Sequence, residues 1–166
     1  LSFLPGRAAK TTMQTFNIEL GKRIKSGKLD DAENIVFWTW VNANTIGIVT
    51  DTAAYHWSSD GEAAPVKMFD RHESLAGAQI ISYGASADGK WLFTAGMRPG
   101  GAPGAPPTSC MQLYSVERRA PQALVASAGC FTTTRHPDRA DPAMLIGLGE
   151  HKPDAPKPKL QVIEVG

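Results

Sequence analysis

Asp70, Arg71 and His72 place a carboxylate, a guanidinium and an imidazole side by side in the stretch PVKMFDRHESLAG at 65–77. Such a trio can be drawn as a general acid–base centre. Consecutive residues of an extended chain point to alternate faces, however, so the three do not converge on one substrate atom. Turn aspartates commonly accept from local backbone N–H groups. The stretch therefore reads as a corner where one structural unit hands the chain to the next, with Asp70 bonded to backbone and Arg71 pairing locally. The histidines His56, His72, His136 and His151 share no metal-ligand spacing with one another or with Cys110 and Cys130. The glycines of RPGGAPGAPP at 98–107 precede no helix that would offer its N-terminus to a phosphate. No metal, cofactor or nucleotide site and no catalytic residue is expected.

A binding role fares better. The basic run GKRIKSGK at 21–28 follows the strand-like TTMQTFNIEL at 11–20. Read plainly it is a solvated loop. Read functionally it is the charged rim of a groove whose floor is apolar, suited to an extended peptide with alternating hydrophobic and acidic side chains, because rim charges steer partners more than they hold them. Trp38 and Trp40 share one face of a strand at period two and are expected in sheet-to-sheet packing.

Composition excludes several classes. The 166 residues suffice for one domain with a core, and 42% apolar content is that of a globular protein. With 17 Lys plus Arg against 16 Asp plus Glu, the net charge of +1 supplies no general field for nucleic acid or a membrane. Two cysteines make no disulfide framework, and both read as buried thiols of a reducing compartment. No run approaches the ~18 apolar residues of a membrane span, and LSFLPGRAAK at 1–10 lacks the features of a signal peptide. The expectation is a soluble, cytosolic protein, and a start at Leu1 with a strand-like end suggests a piece of something longer.

The elements that would position these residues are short strands in a repeat. FWTWV (37–41), QIISYG (79–84) and CFTTTRH (130–136) form one set. TIGIVT (45–50), WLFTAG (91–96) and MLIGLG (144–149) form a second, and AAYHW (53–57), MQLYSV (111–116) and LQVIEV (160–165) a third. PVKMFD or PQALVAS then closes a unit. Corresponding members recur about every 50 residues, the spacing of propeller blades with variable loops. Val, Ile, Thr, Tyr, Phe and Trp dominate the runs and helical periodicity is nearly absent, so the fold class is all-β. Four-stranded antiparallel units in series bury both faces when neighbouring sheets stack, which favours a propeller over a sandwich. A central catalytic site is disfavoured, since the innermost set carries no carboxylate.

The motifs TFNIEL, DTAAYHWSSDGEAAPVKMFDRHESLAGAQIISY, KWLFTAG, MQLYSVERR and LQVIEVG, in order over residues 11–166, resemble the N-terminal propeller domain of the clathrin heavy chain family. The long block around PVKMFDRH is highly specific, because no generic propeller repeat shares it. The resemblance implies that all of 1–166 is part of one seven-bladed β-propeller, contributing about three to four blades and beginning and ending inside blades. It implies a non-enzymatic coat protein whose blade grooves bind short linear motifs of endocytic adaptors, that trimerises and binds a light chain outside this segment, and that meets membranes only through adaptors. The implied contacts of a clathrin-box-like groove are Thr12, Gln14, Phe16, Arg23 and Lys25, with Gly21 standing where the family has a lysine. A second, Trp-motif site maps to Gln79, Ile81 and Met97. A third groove maps to Trp91, Leu113, Arg118 and Gln122, with the Pro/Gly excursion at 98–107 expected on its flank. Alternatives are a scaffold with degenerate grooves or another WD40-like interaction propeller.

Overall fold

The computed structural model describes residues 11–150, 152 and 155–166. It is an all-β, partial β-propeller: the described residues form thirteen strands and one short 3₁₀ turn, arranged as four antiparallel sheets in chain order. His151 and the stretch 1–10 lie outside the described residues.

The chain divides into two compact units, the first ending at Arg71 and the second beginning at His72. In the first, β1 (Thr12–Asn17) pairs with β2 (Lys22–Lys28), and β3 (Ile35–Asn42), β4 (Thr45–Thr50), β5 (Ala53–Ser58) and β6 (Val66–Asp70) follow as a four-stranded meander. Alternation sends Met13 of β1, Ile35 of β3, Ile46 and Ile48 of β4 and Trp57 of β5 into one apolar cluster that joins the two sheets. Gly27 of β2 lies so close to the Trp57 ring that a Cβ there would stand 2.7 Å from it, which requires glycine.

The second unit repeats the plan. Sheet β7 (Gln79–Ala85), β8 (Trp91–Arg98), β9 (Thr108–Ser115), β10 (Ala120–Leu124) is followed by β11 (Ala128–Thr134), β12 (Ala143–Glu150), β13 (Lys159–Val165). Phe93, Ala95, Met111 and Leu113 of the first sheet meet Ile146 and Leu148 of the second in a common core. Phe131 tilts against Phe93 with ring centroids 5.6 Å apart.

The strand sets expected from the repeat are all present, and four readings need correction. The basic run at 21–28 is not a loop: residues 22–28 form β2, because hairpin pairing with β1 satisfies its backbone. Correspondingly β1 stops at Asn17, and Ile18 is almost wholly exposed in the turn. Trp38 packs on the core while Trp40, on the same face but nearer the end of the strand, is half exposed. Cys110 is buried and bonded to the Gly96 carbonyl, whereas Cys130 is an exposed free thiol on β11.

The 65–77 stretch is the junction between the units. Arg71 donates to the Thr50 and Asp51 carbonyls at 3.0 and 3.2 Å, and Asp70 pairs with Lys67 at 2.5 Å. His72 caps the 3₁₀ turn Glu73–Leu75, its Nδ1 accepting from the Ser74 N–H, while its own N–H donates to Gln112, a fully buried amide. These bonds fix backbone, as a corner requires. They leave the three side chains facing different partners.

Candidate functional site

The residues expected in the third groove converge. The hairpin between β7 and β8 is closed by Ser86, whose hydroxyl donates to Asp88 at 2.5 Å and accepts from the Trp91 N–H at 3.0 Å. Gly89 supplies the positive φ that this tight turn needs. Trp91 is thereby held at the start of β8. Across the sheet Leu113 pairs with Phe93 on one side and with Gln122 of β10 on the other, so Leu113 and Gln122 share a face. Arg118 sits in the β9–β10 turn, its N–H bonded to the Ser115 hydroxyl, with Arg119 in the left-handed region beside it. The Val116 N–H donates to the Lys90 carbonyl and ties this turn to the preceding hairpin.

Trp91, Leu113, Arg118 and Gln122 all line one cleft of about 160 Å³, closed on its other side by Ile146 of β12 and Ile163 of β13. Its floor is apolar and its rim carries the Arg118 guanidinium, the Gln122 amide and the Glu164 carboxylate. A cleft of that kind buries an aliphatic side chain and hydrogen-bonds the backbone that carries it. Among the described residues no group of three or more His, Cys, Asp or Glu is disposed to hold a metal ion.

The excursion at 98–107 does not flank this cleft. It joins Arg98 to Thr108 at the far end of the β8–β9 ladder, seven residue pairs from the Trp91–Ser115 end, or roughly 23 Å at a strand's rise per residue. It emerges instead beside the second expected site. There Gln79 and Met97 are direct cross-strand partners, and the Ser109 hydroxyl donates to the Met97 sulfur at 3.6 Å. Ile81 falls where the ladder skips from Ile80 to Ser82 and is exposed while Ile80 is buried. A bulge thus turns an apolar side chain outward.

The five residues expected in the first groove are divided between two faces. Phe16 pairs with Arg23, and Thr12 and Gln14 alternate with the buried Met13 and Thr15. Phe16 is 47% exposed, an outward-facing aromatic beside a cation. Lys25 lies on the inner face. Only 8% exposed, it donates to the Ser58 and Ala63 carbonyls at 2.9 Å each, with its ammonium 5.2 Å from the centre of the Trp57 ring. Its alkyl stem and charge are spent on the sheet packing, and the bulge between Thr15 and Phe16 is what separates it from Arg23. Sequence reasoning missed this because a basic run carries no sign of which lysine turns inward; the one available signal was Gly27, two residues on in the same strand.

Electrostatic perturbation is modest and structural. Burial would raise the Glu33 carboxyl, but hydrogen bonds from Thr50, Thr52 and Tyr55 and the charge of Lys67 hold it below its ordinary value of 4.5. Burial, followed by the bond to Glu33, pushes Tyr55 up to about 12. The Ser86 hydroxyl, against some opposing burial, lowers Asp88.

No protein-family model matches the chain. Individual relatives do. It is 44% identical over 155 residues to a probable clathrin heavy chain 1 of Caenorhabditis elegans, 41% over 160 residues to the clathrin heavy chain of Drosophila melanogaster and 40% over 158 residues to clathrin heavy chain 2 of Homo sapiens. Each alignment takes in 93–95% of this chain and 9% of the relative, so the chain spans about a tenth of the length of the curated proteins it matches.

Proposed function

The chain is a clathrin heavy chain homologue over more than nine-tenths of its length, and from that premise we propose that it is part of the adaptor-binding propeller of a vesicle coat protein. In this reading the protein is not an enzyme. It works on the cytoplasmic face of coated pits and vesicles at the plasma membrane, trans-Golgi and endosomes, reaching the membrane through adaptors in endocytosis and intracellular transport. Trimerisation and light-chain binding belong to parts of the protein outside this segment.

The observation that carries the reading is the convergence of Trp91, Leu113, Arg118 and Gln122 on one cleft between two sheets. Four residues spread over 32 positions of sequence meet at a groove of side-chain size, open to an extended peptide. The open face of β1 and β2 offers a second seat, with Phe16 receiving an apolar anchor, Gln14 and Thr12 bonding the peptide backbone and Arg23 meeting an acid. Lys25 acts there by holding β2 against Trp57. The Gln79, Ile81 and Met97 surface is the third seat, with the 98–107 excursion at its edge. Surfaces this small give weak single contacts, and useful strength comes from many copies on a lattice.

Calorimetry on the full-length protein with a peptide of the pattern Leu-apolar-x-apolar-acid tests the first seat. Phe16→Ala is expected to weaken binding roughly tenfold, as loss of an aromatic anchor does, with the fold intact. Trp91→Ala is expected to leave that peptide alone and weaken one that uses the cleft. If neither variant changes the binding of any adaptor peptide, the grooves are degenerate and the chain is a scaffold.

A further inference from the structure

The cleft does not end at Arg118. On the far side of that residue it opens into a recess of about 520 Å³ between the two hairpin turns of the β7–β10 sheet and the loop that leads into β12, and Trp91, Arg118, Glu164 and Val165 line both spaces. The recess is charged. Lys90 is taken by Glu117 at 2.7 Å, and Arg139 is taken by Glu164. The Arg118 guanidinium, at the boundary between apolar cleft and recess, carries no ion pair among the described residues.

We propose that the peptide seated in the cleft continues into this recess and presents a carboxylate side chain to Arg118, and that Arg139 and Lys90 favour this by pairing with Glu164 and Glu117, leaving Asp88 and Asp141 as the recess carboxylates that limit the preference. The inference rests on the reading of the cleft as a peptide groove and adds the length and charge of what it takes. Two facts of chemistry carry it. An extended peptide with an apolar side chain in the 160 Å³ cleft runs past Arg118 at about 3.3 Å per residue, so the next outward side chain reaches the recess. Once there, it meets one cation whose fork of donors is uncommitted, and Arg binds carboxylate through two parallel bonds. Glu164 would oppose an incoming acid, and its pairing with Arg139 removes that opposition. Arg139 is thus a positioning residue for specificity, with its effect routed through Glu164.

The test uses the full-length protein and two peptides of equal length, identical in their apolar anchors and differing only by Glu against Gln at the position beyond them. The wild type is expected to prefer the Glu peptide roughly three- to tenfold, the range of one exposed charge-assisted contact, and the preference is expected to shrink as salt rises. Arg118→Gln should abolish the preference while keeping binding of the Gln peptide. Arg139→Gln should reduce the preference, and adding Glu164→Gln to it should restore it, a rescue that a merely structural role for the pair would not produce. Equal binding of the two peptides by the wild type, or a preference untouched by Arg118→Gln, overturns the inference and leaves the groove standing. Binding of both peptides that is insensitive to Ile163→Trp, which places a larger side chain at the exposed wall of the cleft, overturns the groove reading and the inference with it.

Discussion

The two units are built on one plan and put their candidate binding residues in opposite circumstances. In the unit ending at Arg71, the sheet that carries Thr12, Gln14, Phe16 and Arg23 buries its other face on Trp57 and leaves these residues on an open surface. In the unit beginning at His72, Trp91, Leu113, Arg118 and Gln122 lie where two sheets meet and share a cleft with the second sheet. The difference teaches that, in stacked sheets, strand residues share a groove where a neighbouring sheet supplies the opposite wall, as Ile146 and Ile163 do here. Met13, Lys25 and Gly27 face the inner wall of the first unit, where Lys25 and Gly27 both lie against the Trp57 ring.

That account is most exposed to failure at Trp57. Fully buried against Gly27 and beneath Lys25, it anchors one unit only. Trp57→Ala is expected to cost about 3–5 kcal/mol in denaturant unfolding. Hydrogen exchange should show lost protection concentrated in residues 11–71, with the Phe93 core retaining its own. Uniform loss across both units would break the comparison at its root.

The next largest effect separates the two cations of β2. Lys25→Met removes two charge-assisted bonds to the Ser58 and Ala63 carbonyls, and about 2 kcal/mol of stability should go with them. Arg23→Met, exposed and without a carbonyl to hold, should change stability by less than about 0.5 kcal/mol and act on peptide binding. If the two variants exchange roles, the assignment of inner and outer faces is inverted.

How much of this was legible in the sequence follows from what a short strand can encode. The period-two alternation of MLIGLG or AAYHW states that a strand exists and which side is apolar, and those strands formed where expected. Side-chain type does not state where a β-bulge falls. Bulges at Phe16 and at Ile81 accompany the inward lysine and the outward isoleucine. The four residues of the cleft could be named from family resemblance alone, but the opposite wall, Ile146 and Ile163, comes from later strands whose sequences read only as generic core. The far end of the β8–β9 ladder had the same difficulty: the Pro/Gly run was visible, while its side of the sheet needed the register.

A smaller effect sharpens the comparison from the second unit. Ser86 accepts from the Trp91 N–H and donates to Asp88, so its hydroxyl links the hairpin turn to the first residue of the cleft. Ser86→Ala should cost about 1 kcal/mol of stability and loosen Trp91, weakening cleft-directed peptides while Phe16-directed peptides bind as before. Equal weakening of both would show that the seats are not independent.

The smallest expected effect is one of pH, and it belongs to the first unit. Glu33 accepts from the Thr52 hydroxyl at 2.7 and 2.8 Å and from the Tyr55 hydroxyl at 3.1 Å, bonds that favour its ionised form and hold its carboxyl below 4.5 despite the burial that works against it. A carboxyl lowered on folding stabilises the folded state above its unfolded value and loses that contribution as pH falls through the folded value. Acidification below about 4.5 should therefore weaken the first unit through this clamp. Glu33→Gln should remove that part of the pH dependence while leaving the neutral-pH fold intact. Asp88 is the matching lowered carboxyl of the second unit, so Asp88→Asn provides the control: its flattening should appear in exchange protection around Ser86 and Trp91, and Glu33→Gln should leave that region's acid response unchanged.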